Sequence, residues 1–86
     1  MNQQQPVKLY SLSTCSHCKS TKKLLGECKI KYEFTDVDLL DKAERMIILE
    51  DIKKINPQCA FPTIIIGDTV IIGYKENAIK EALGLL

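Results

Sequence analysis

Two of the four cysteines are separated by two residues, in the segment Cys15-Ser16-His17-Cys18. This segment lies where a predicted strand ends and a predicted helix begins. A thiolate, not a thiol, attacks disulfides, and a free cysteine with a pKa near ~8.5 is mostly protonated at neutral pH. The free N–H groups and positive dipole end of a helix N-terminus favour the anion. Cys15 is therefore the predicted nucleophile.

The spacing of the two cysteines supplies a second thiol. Two intervening residues on the first helical turn bring the Cys18 sulfur within bonding reach of Cys15. We expect Cys15 to attack a substrate disulfide and the more buried Cys18 to resolve the mixed disulfide. His17, when protonated, and Lys19 add positive charge nearby. A histidine directly before the resolving cysteine should also make the couple more oxidising.

A cysteine pair of this kind can also be a core pair or half of a zinc site. Zinc takes four ligands, and only Cys28, Cys59 and His17 remain, without a second Cys-x-x-Cys. We therefore favour the redox interpretation and predict no metal site. Cys28 and Cys59 are interpreted as small buried hydrophobes. Cys59, three residues before Pro62, is also a candidate regulatory thiol.

The elements that position the cysteines follow from apolar periodicity and capping residues. The predicted order is β-α-β-α-β-β-α, with strands over residues 7–11, 31–38, 63–66 and 69–72, and helices from about residue 15, over 41–56 and over 76–83. Ser13 or Thr14 is the expected N-cap of the first helix, and Asp41 that of the second. Gly67-Asp68 forms the hairpin turn.

Periodicity also predicts which side chains are buried. In the second strand these are Tyr32, Phe34 and Val37. In the first helix they are Cys18, Thr21, Leu25 and Cys28. In the second helix they are Ile48, Ile52 and Ile55, with Met46, Ile47 and Leu49 widening the buried face, and in the third helix they are Ala78, Ile79, Ala82 and Leu83. The simplest architecture that buries these faces is a four-stranded mixed β-sheet flanked by three helices, of the α/β class. The 86 residues fit one domain, 1–86, with residues 1–5 as a polar tail.

Composition narrows the partners. The formal net charge is +1 and the isoelectric point is about 7.6, which gives no electrostatic reason to expect nucleic acid or a membrane surface. No signal peptide is visible in the first six residues, and the apolar runs are too short to span a bilayer. We therefore expect a cytoplasmic protein, and a monomer.

A second candidate segment is Ala60-Phe61-Pro62-Thr63. A proline at the first residue of a strand is acceptable as an ordinary strand start. The more specific hypothesis is a cis peptide between Phe61 and Pro62, packed against the cysteine pair. The Phe61 backbone would then be available to pair with an extended thiol substrate.

The Cys15-Ser16-His17-Cys18 and Phe61-Pro62-Thr63 segments, with Gly73 before the last helix, resemble the glutaredoxin family over essentially the whole chain. The resemblance implies a thioredoxin fold and an enzyme of electron transport. Such an enzyme reduces protein or glutathione mixed disulfides, with glutathione as reductant and co-substrate. It also implies a glutathione groove formed by Ser13, His17, Phe61, Pro62, Gly73, Tyr74, Lys75 and Glu76.

The chain departs from the family pattern at three places. Leu12 stands where the family usually has a lysine for the glycyl carboxylate of glutathione. Ala60 and Phe61 precede the proline in place of Thr-Val, and Tyr74 follows Gly73 in place of a second glycine. Loss of one charge-assisted contact typically costs about 1.5–3 kcal/mol. Two alternatives stay open: an electron donor regenerated by thioredoxin reductase, and non-catalytic binding of a [2Fe–2S] cluster.

Overall fold

The computed structural model describes residues 5–85. Predictions for residues 1–4, most of the polar tail, and for residue 86 lie outside this range. The elements are β1 (Val7–Ser11), α1 (Ser16–Glu27), β2 (Glu33–Asp36), a 3₁₀ turn (Val37–Leu39), α2 (Lys42–Ile55), β3 (Thr63–Ile66), β4 (Thr69–Ile72) and α3 (Glu76–Ala82). The predicted order is confirmed, but the second strand is half the predicted length.

The four strands form one mixed sheet in the order β2-β1-β3-β4. β1 runs parallel to β2, with Leu9 opposite Phe34. It runs antiparallel to β3, with Tyr10 opposite Thr63. The α/β architecture and the thioredoxin fold expected from the sequence are confirmed. The single-domain assignment over residues 1–86 stays a prediction.

Side chains alternate across the sheet and build a core on each face. One core joins the sheet to α1 and α3, and its buried members are Val7, Leu9, Leu24, Leu25, Ile64, Ile66, Ile71 and Ile79. The other joins the sheet to α2, and its buried members are Tyr10, Val37 and Ile52. The three helices therefore cover both faces, with α1 and α3 on one and α2 on the other.

The buried face of α2 is narrower than predicted. Ile52 is fully buried, whereas Met46 and Ile47 are 59% and 64% exposed and Ile55 is also exposed. The sheet meets α2 along a stripe with i, i+4 spacing that includes Ile48 and Ile52. Residues 46 and 47 lie outside this stripe on the helix surface, so their predicted burial is wrong.

The predicted burial of Phe34 is also wrong. β2 is an edge strand of four residues, and the Phe34 ring is exposed. The ring is partly covered by α1, because the Lys22 ammonium lies 4.3 Å from its centroid.

The predicted start of α2 is confirmed, and α3 ends at Ala82, one residue before the predicted end. Asp41 caps α2, since its Oδ1 accepts a hydrogen bond from the Glu44 N–H at 2.8 Å. Gly84 follows α3 with φ +79°, a conformation that glycine adopts without a Cβ penalty. No helix within residues 5–85 has the length and apolar content to cross a membrane.

Candidate active site

Cys15 is the N-cap of α1, with φ −82° and ψ 122°. Its Sγ accepts a hydrogen bond from the Cys18 N–H at 3.4 Å. The predicted caps Ser13 and Thr14 are wrong, because the sulfur itself occupies the capping position. The first turn of a helix has N–H groups without intrahelical partners, so this position places a developing thiolate against hydrogen-bond donors.

Ser13 is held by a neighbouring element instead. Its N–H and Oγ–H donate to the two carboxylate oxygens of Asp38, at 2.8 and 2.5 Å. These hydrogen bonds, led by the one from the hydroxyl, hold the pKa of Asp38 below its ordinary value. Asp38 thus fixes the turn that leads into Cys15. No sequence pattern marks this contact, which joins residues 25 apart.

Cys18 lies fully buried beneath the N-terminal turn. Its Sγ accepts a hydrogen bond from the Leu12 N–H at 3.5 Å. Burial raises the pKa of the Cys18 thiol to about 11. The two cysteines are free thiols, and Cys15 is the more exposed of them.

The pKa of Cys15 is lowered, mainly by a hydrogen bond from the Cys18 side chain. Partial burial opposes this effect, and the N–H groups of Cys18 and His17 assist it. His17 and Lys19 are both exposed, and His17 acts on the Cys15 thiol through its backbone. The expected effect of the His17 imidazole on the redox couple stays a prediction. Between the two thiols, Cys15 is the one that ionises first.

The peptide bond between Phe61 and Pro62 is cis, as predicted. Pairing of β1 with β3 reaches Tyr10 opposite Thr63, so Pro62 and Phe61 follow at the end of β1, level with Ser11 and Leu12. Phe61 packs in the same cluster as Leu12. The predicted segment around the cysteines and the one around the proline therefore meet where β1 ends and β3 begins.

A buried asparagine, Asn56, holds the loop before Pro62. Its Nδ2 donates to the Ala60 carbonyl and to Thr63 Oγ1, both at 3.1 Å. Its Oδ1 accepts from the Gln58 N–H at 3.2 Å. The sequence indicated Asn56 only as the end of a helix, because a proline follows it.

Gly73 joins the site through its backbone. Its N–H donates to the Pro62 carbonyl at 2.8 Å, and its φ is +89°. Tyr74 packs against the core between α1 and α3, and its hydroxyl donates to the Glu76 carboxylate at 3.3 Å. Lys75 is exposed as the N-cap of α3. The participation of Ser13, His17, Phe61, Pro62 and residues 73–76 in a glutathione groove stays a prediction.

Within residues 5–85, no group of three or more histidine, cysteine or acidic side chains is arranged to hold a metal ion. Cys28 is partly buried against the core between the sheet and helices α1 and α3, and Cys59 is partly buried against the core between the sheet and α2. Both therefore contribute to packing, as expected of small apolar side chains.

Comparisons with known proteins agree with this geometry. The glutaredoxin family model matches residues 7–71. An uncharacterized glutaredoxin-like 8.6 kDa protein in the rubredoxin operon of Clostridium pasteurianum is 30% identical, over 90% of this chain and 96% of the relative. The crystal structure of Methanosarcina acetivorans methanoredoxin is similar, with TM-score 0.90 and 40% identity, over 94% of this chain and 86% of that one. The crystal structure of the glutaredoxin from Methanosarcina mazei Go1 is also similar, with TM-score 0.85 and 41% identity, over 93% of this chain and 79% of that one. The chain belongs to the glutaredoxin family, whose members share the thioredoxin fold and a general thiol–disulfide oxidoreductase activity.

Proposed function

We propose that this protein is a dithiol–disulfide oxidoreductase in which Cys15 is the nucleophile and Cys18 the resolving thiol. The observation that carries the proposal is the placement of two thiols in one helical turn: Cys15 is the N-cap of α1 and accepts a hydrogen bond from the Cys18 N–H, and Cys18 is fully buried. The pKa of the more exposed Cys15 thiol is lowered, and burial raises that of Cys18. The thiol that ionises nearer the surface can attack a substrate disulfide, and the thiol beneath it stays protonated until the second exchange.

The reaction proceeds in two exchanges. The Cys15 thiolate attacks one sulfur of the substrate disulfide, forms a mixed disulfide and releases the first thiolate, which takes up a proton. Cys18 then loses its proton and attacks Cys15 Sγ, forming the Cys15–Cys18 disulfide and releasing the second thiol. The substrate gains two electrons and the cysteine pair loses two, so an external thiol reductant must return the pair to its starting state.

The substrates we propose are protein and glutathione mixed disulfides, with glutathione as the reductant. The position of Phe61 beside Leu12, at the sheet edge that carries the cysteine turn, supports this, because an extended substrate could pair there with the Phe61 backbone. Family membership also supports glutathione as co-substrate. The cytoplasmic location and the monomeric state expected from the sequence remain part of the proposal.

A second candidate is an electron donor regenerated by thioredoxin reductase. The observation that favours it is the environment of Leu12, whose side chain packs with Phe61 in the apolar cluster. An apolar side chain there offers no charge to a carboxylate of glutathione.

The experiment that separates the two reductants follows NADPH consumption with a glutathione mixed disulfide as substrate. One arm contains glutathione and glutathione reductase, and the other contains thioredoxin reductase. Turnover in the first arm alone supports the glutathione proposal, and turnover in the second alone supports the second candidate. Turnover in neither arm would contradict both.

Cysteine variants test the assignment of roles in the same assay. Cys15→Ser should be inactive with either reductant, whereas Cys28→Ser, a partly buried thiol outside the site, should keep full activity. Cys18→Ser should still reduce glutathione mixed disulfides but should accumulate mixed disulfides with protein substrates, detectable by mass. Substantial turnover by Cys15→Ser would refute the assignment of the nucleophile.

A further inference from the structure

A partly buried ion pair lies on α1, one helical turn beyond the resolving cysteine. Lys22 is four residues after Cys18, so the two side chains share one face of the helix. The Lys22 Nζ lies 2.8 Å from Asp36 Oδ1 at the end of β2, and the two side chains are only 25% and 15% exposed. Ser11, which is fully buried, donates its hydroxyl hydrogen to the same carboxylate oxygen at 2.5 Å.

The pair is connected to Cys18 through two elements. Along α1, Lys22 follows Cys18 by one turn. Along β1, Ser11 precedes Leu12, whose N–H donates to Cys18 Sγ. The carboxylate of Asp36 accepts hydrogen bonds from both Ser11 and Lys22, so Lys22 is tied to the strand whose end leads into Leu12. The ammonium of Lys22 is therefore fixed in place rather than free in solvent.

This arrangement matters most in the mixed-disulfide state. Once Cys15 carries a substrate sulfur, its thiolate no longer exists and its charge no longer acts on Cys18. Cys18 must then ionise in a buried position, which costs free energy. Two groups favour its anion in the structure: the Leu12 N–H and the positive charge of Lys22.

We propose that Lys22, held by Asp36, is a positioning residue that promotes ionisation of Cys18 and thereby sets the rate of the resolving step. This inference rests on the proposed function. In the resolving step the Cys18 proton leaves to solvent and the Cys18–Cys15 disulfide bond forms. The bond from Cys15 to the substrate sulfur breaks, and the substrate leaves as a thiolate.

The charged and titratable groups around Cys18 define what the test must separate. On α1 these are Cys15 and Lys22, and on β2 Asp36 reaches the site through Lys22. The loop before β3 carries Cys59, which packs in the cluster of Leu12 on the other face of the sheet. Among these side chains, Lys22 supplies the cation whose charge lowers the pKa of Cys18, against the larger effect of burial.

The test uses the full chain with Cys28→Ser and Cys59→Ser, so that only the active-site thiols react. Ellman's reagent, an aromatic disulfide, releases one coloured thiolate when Cys15 attacks and a second when Cys18 resolves the mixed disulfide. The two phases report the two exchanges separately. The variants are Lys22→Met, Lys22→Arg and, as a matched control, Lys23→Met, whose native lysine is 80% exposed on the same helix.

In Lys22→Met the second phase should slow and its pH–rate profile should move to higher pH, while the first phase keeps its rate. Each unit by which the Cys18 pKa rises lowers the thiolate fraction about tenfold but raises its nucleophilicity about threefold, for a net slowing of roughly three- to fourfold. Lys22→Arg should restore the parent rate and profile, because it keeps the charge. Lys23→Met should match the parent.

Loss of the ion pair could also loosen the structure, since Asp36 loses its counterion. The double variant Lys22→Met with Asp36→Asn removes both charges and avoids an unpaired buried carboxylate. It should remain as slow in the second phase as Lys22→Met. Recovery of the parent rate in this double variant would show that the slowing came from the unpaired Asp36 carboxylate or from looser packing, not from the lost Lys22 charge, and would overturn the inference.

The outcomes distinguish the two proposals. A normal first phase with an unchanged second phase and pH profile in Lys22→Met would overturn the role of Lys22 alone. Absence of a first phase in the parent protein would overturn the proposed function, and this inference with it.

Discussion

Replacing Asn56 by alanine tests how the fold holds the proline loop. The native side chain is 1% exposed and connects the end of α2 to Ala60 and Thr63. Alanine removes both Nδ2 donors and the oxygen that accepts from the Gln58 N–H. The Ala60 carbonyl keeps one partner, since Thr63 Oγ1 donates to it at 2.6 Å.

The size of the effect follows from these contacts. The three hydrogen bonds, of which only the one to Thr63 is fully buried, together contribute about 1.5–2 kcal/mol, and the small cavity left by the shortened side chain adds roughly 0.5–1 kcal/mol. We expect Asn56→Ala to lower the free energy of unfolding by about 2–3 kcal/mol. For a domain of this size that corresponds to a fall in melting temperature of roughly 10–20 °C.

Urea denaturation followed by circular dichroism measures this loss. Gln58→Ala is the matched control, because Gln58 is exposed and gives Asn56 only its backbone N–H, so its change should stay within about 0.5 kcal/mol. A second readout is reduction of a peptide mixed disulfide, which should fall in Asn56→Ala while alkylation of Cys15 keeps its rate. Equal stability of Asn56→Ala and Gln58→Ala would refute the argument.

Three further predictions concern pH and backbone conformation. The lowered pKa of Cys15 predicts that its alkylation reaches half-maximal rate at a pH below the ordinary pKa of a cysteine thiol. Cys18→Ala should move this midpoint upward, because it removes the side-chain hydrogen bond that lowers the pKa of Cys15 most; an unmoved midpoint would contradict this. Burial acts to raise the pKa of Asp36, but hydrogen bonds outweigh it and leave the pKa below its ordinary value of 3.8. The stability contributed by Asp36 is therefore complete above that value and is lost as pH falls through the lower folded-state pKa, so unfolding free energies measured between about pH 5 and 2 should vary less in Asp36→Asn; parallel curves would count against it. Gly73 has φ +89°, and among residues 5–85 no heavy atom beyond its two chain neighbours lies within 4 Å of the position that a Cβ would take. Gly73→Ala should therefore destabilise by about 1–2 kcal/mol from backbone strain alone, whereas helical Gly26→Ala should stabilise by about 0.5–1 kcal/mol; changes of the same sign in urea denaturation would be incompatible with this.

Local patterns were sufficient for the cysteine turn and the hairpin. The β-branched run of β3, the Gly67-Asp68 turn and the capping box at Asp41 each specify their own conformation through residues a few positions apart. The position of Cys15 at a helix N-terminus, which supports its proposed role as nucleophile, could be predicted for the same reason.

Burial on α2 could not be predicted from periodicity, because it depends on how much sheet is available. A 14-residue helix is about 21 Å long, whereas a four-residue strand spans only about 13 Å. The sheet therefore contacts only part of the helix surface, and Met46 and Ile47, which lie outside the stripe of Ile48 and Ile52, are exposed. The contacts of Asp38 with Ser13 and of Asp36 with Lys22 join residues far apart in the chain, and no local pattern marks them.

The strands of the sheet come from two segments of the chain, which are separated by the 3₁₀ turn and α2. Residues 7–36 hold β1, α1 and β2, and residues 63–82 hold β3, β4 and α3. Within the four-stranded sheet of residues 7–72 they are joined through pairing of β1 with β3, from Val7 opposite Ile66 to Tyr10 opposite Thr63. The cysteine pair belongs to the first segment, and the cis-proline loop leads into the second.

The candidate active site therefore lies where the two segments are joined by the pairing of β1 with β3. A chain cut between β2 and α2 would leave one fragment with both thiols and another with the Phe61–Pro62 loop. Neither fragment alone presents both parts to an extended substrate. Thiol–disulfide exchange with such substrates should be restored only when the two fragments associate through β1 and β3. The rate of this exchange could therefore be used to measure association of the fragments.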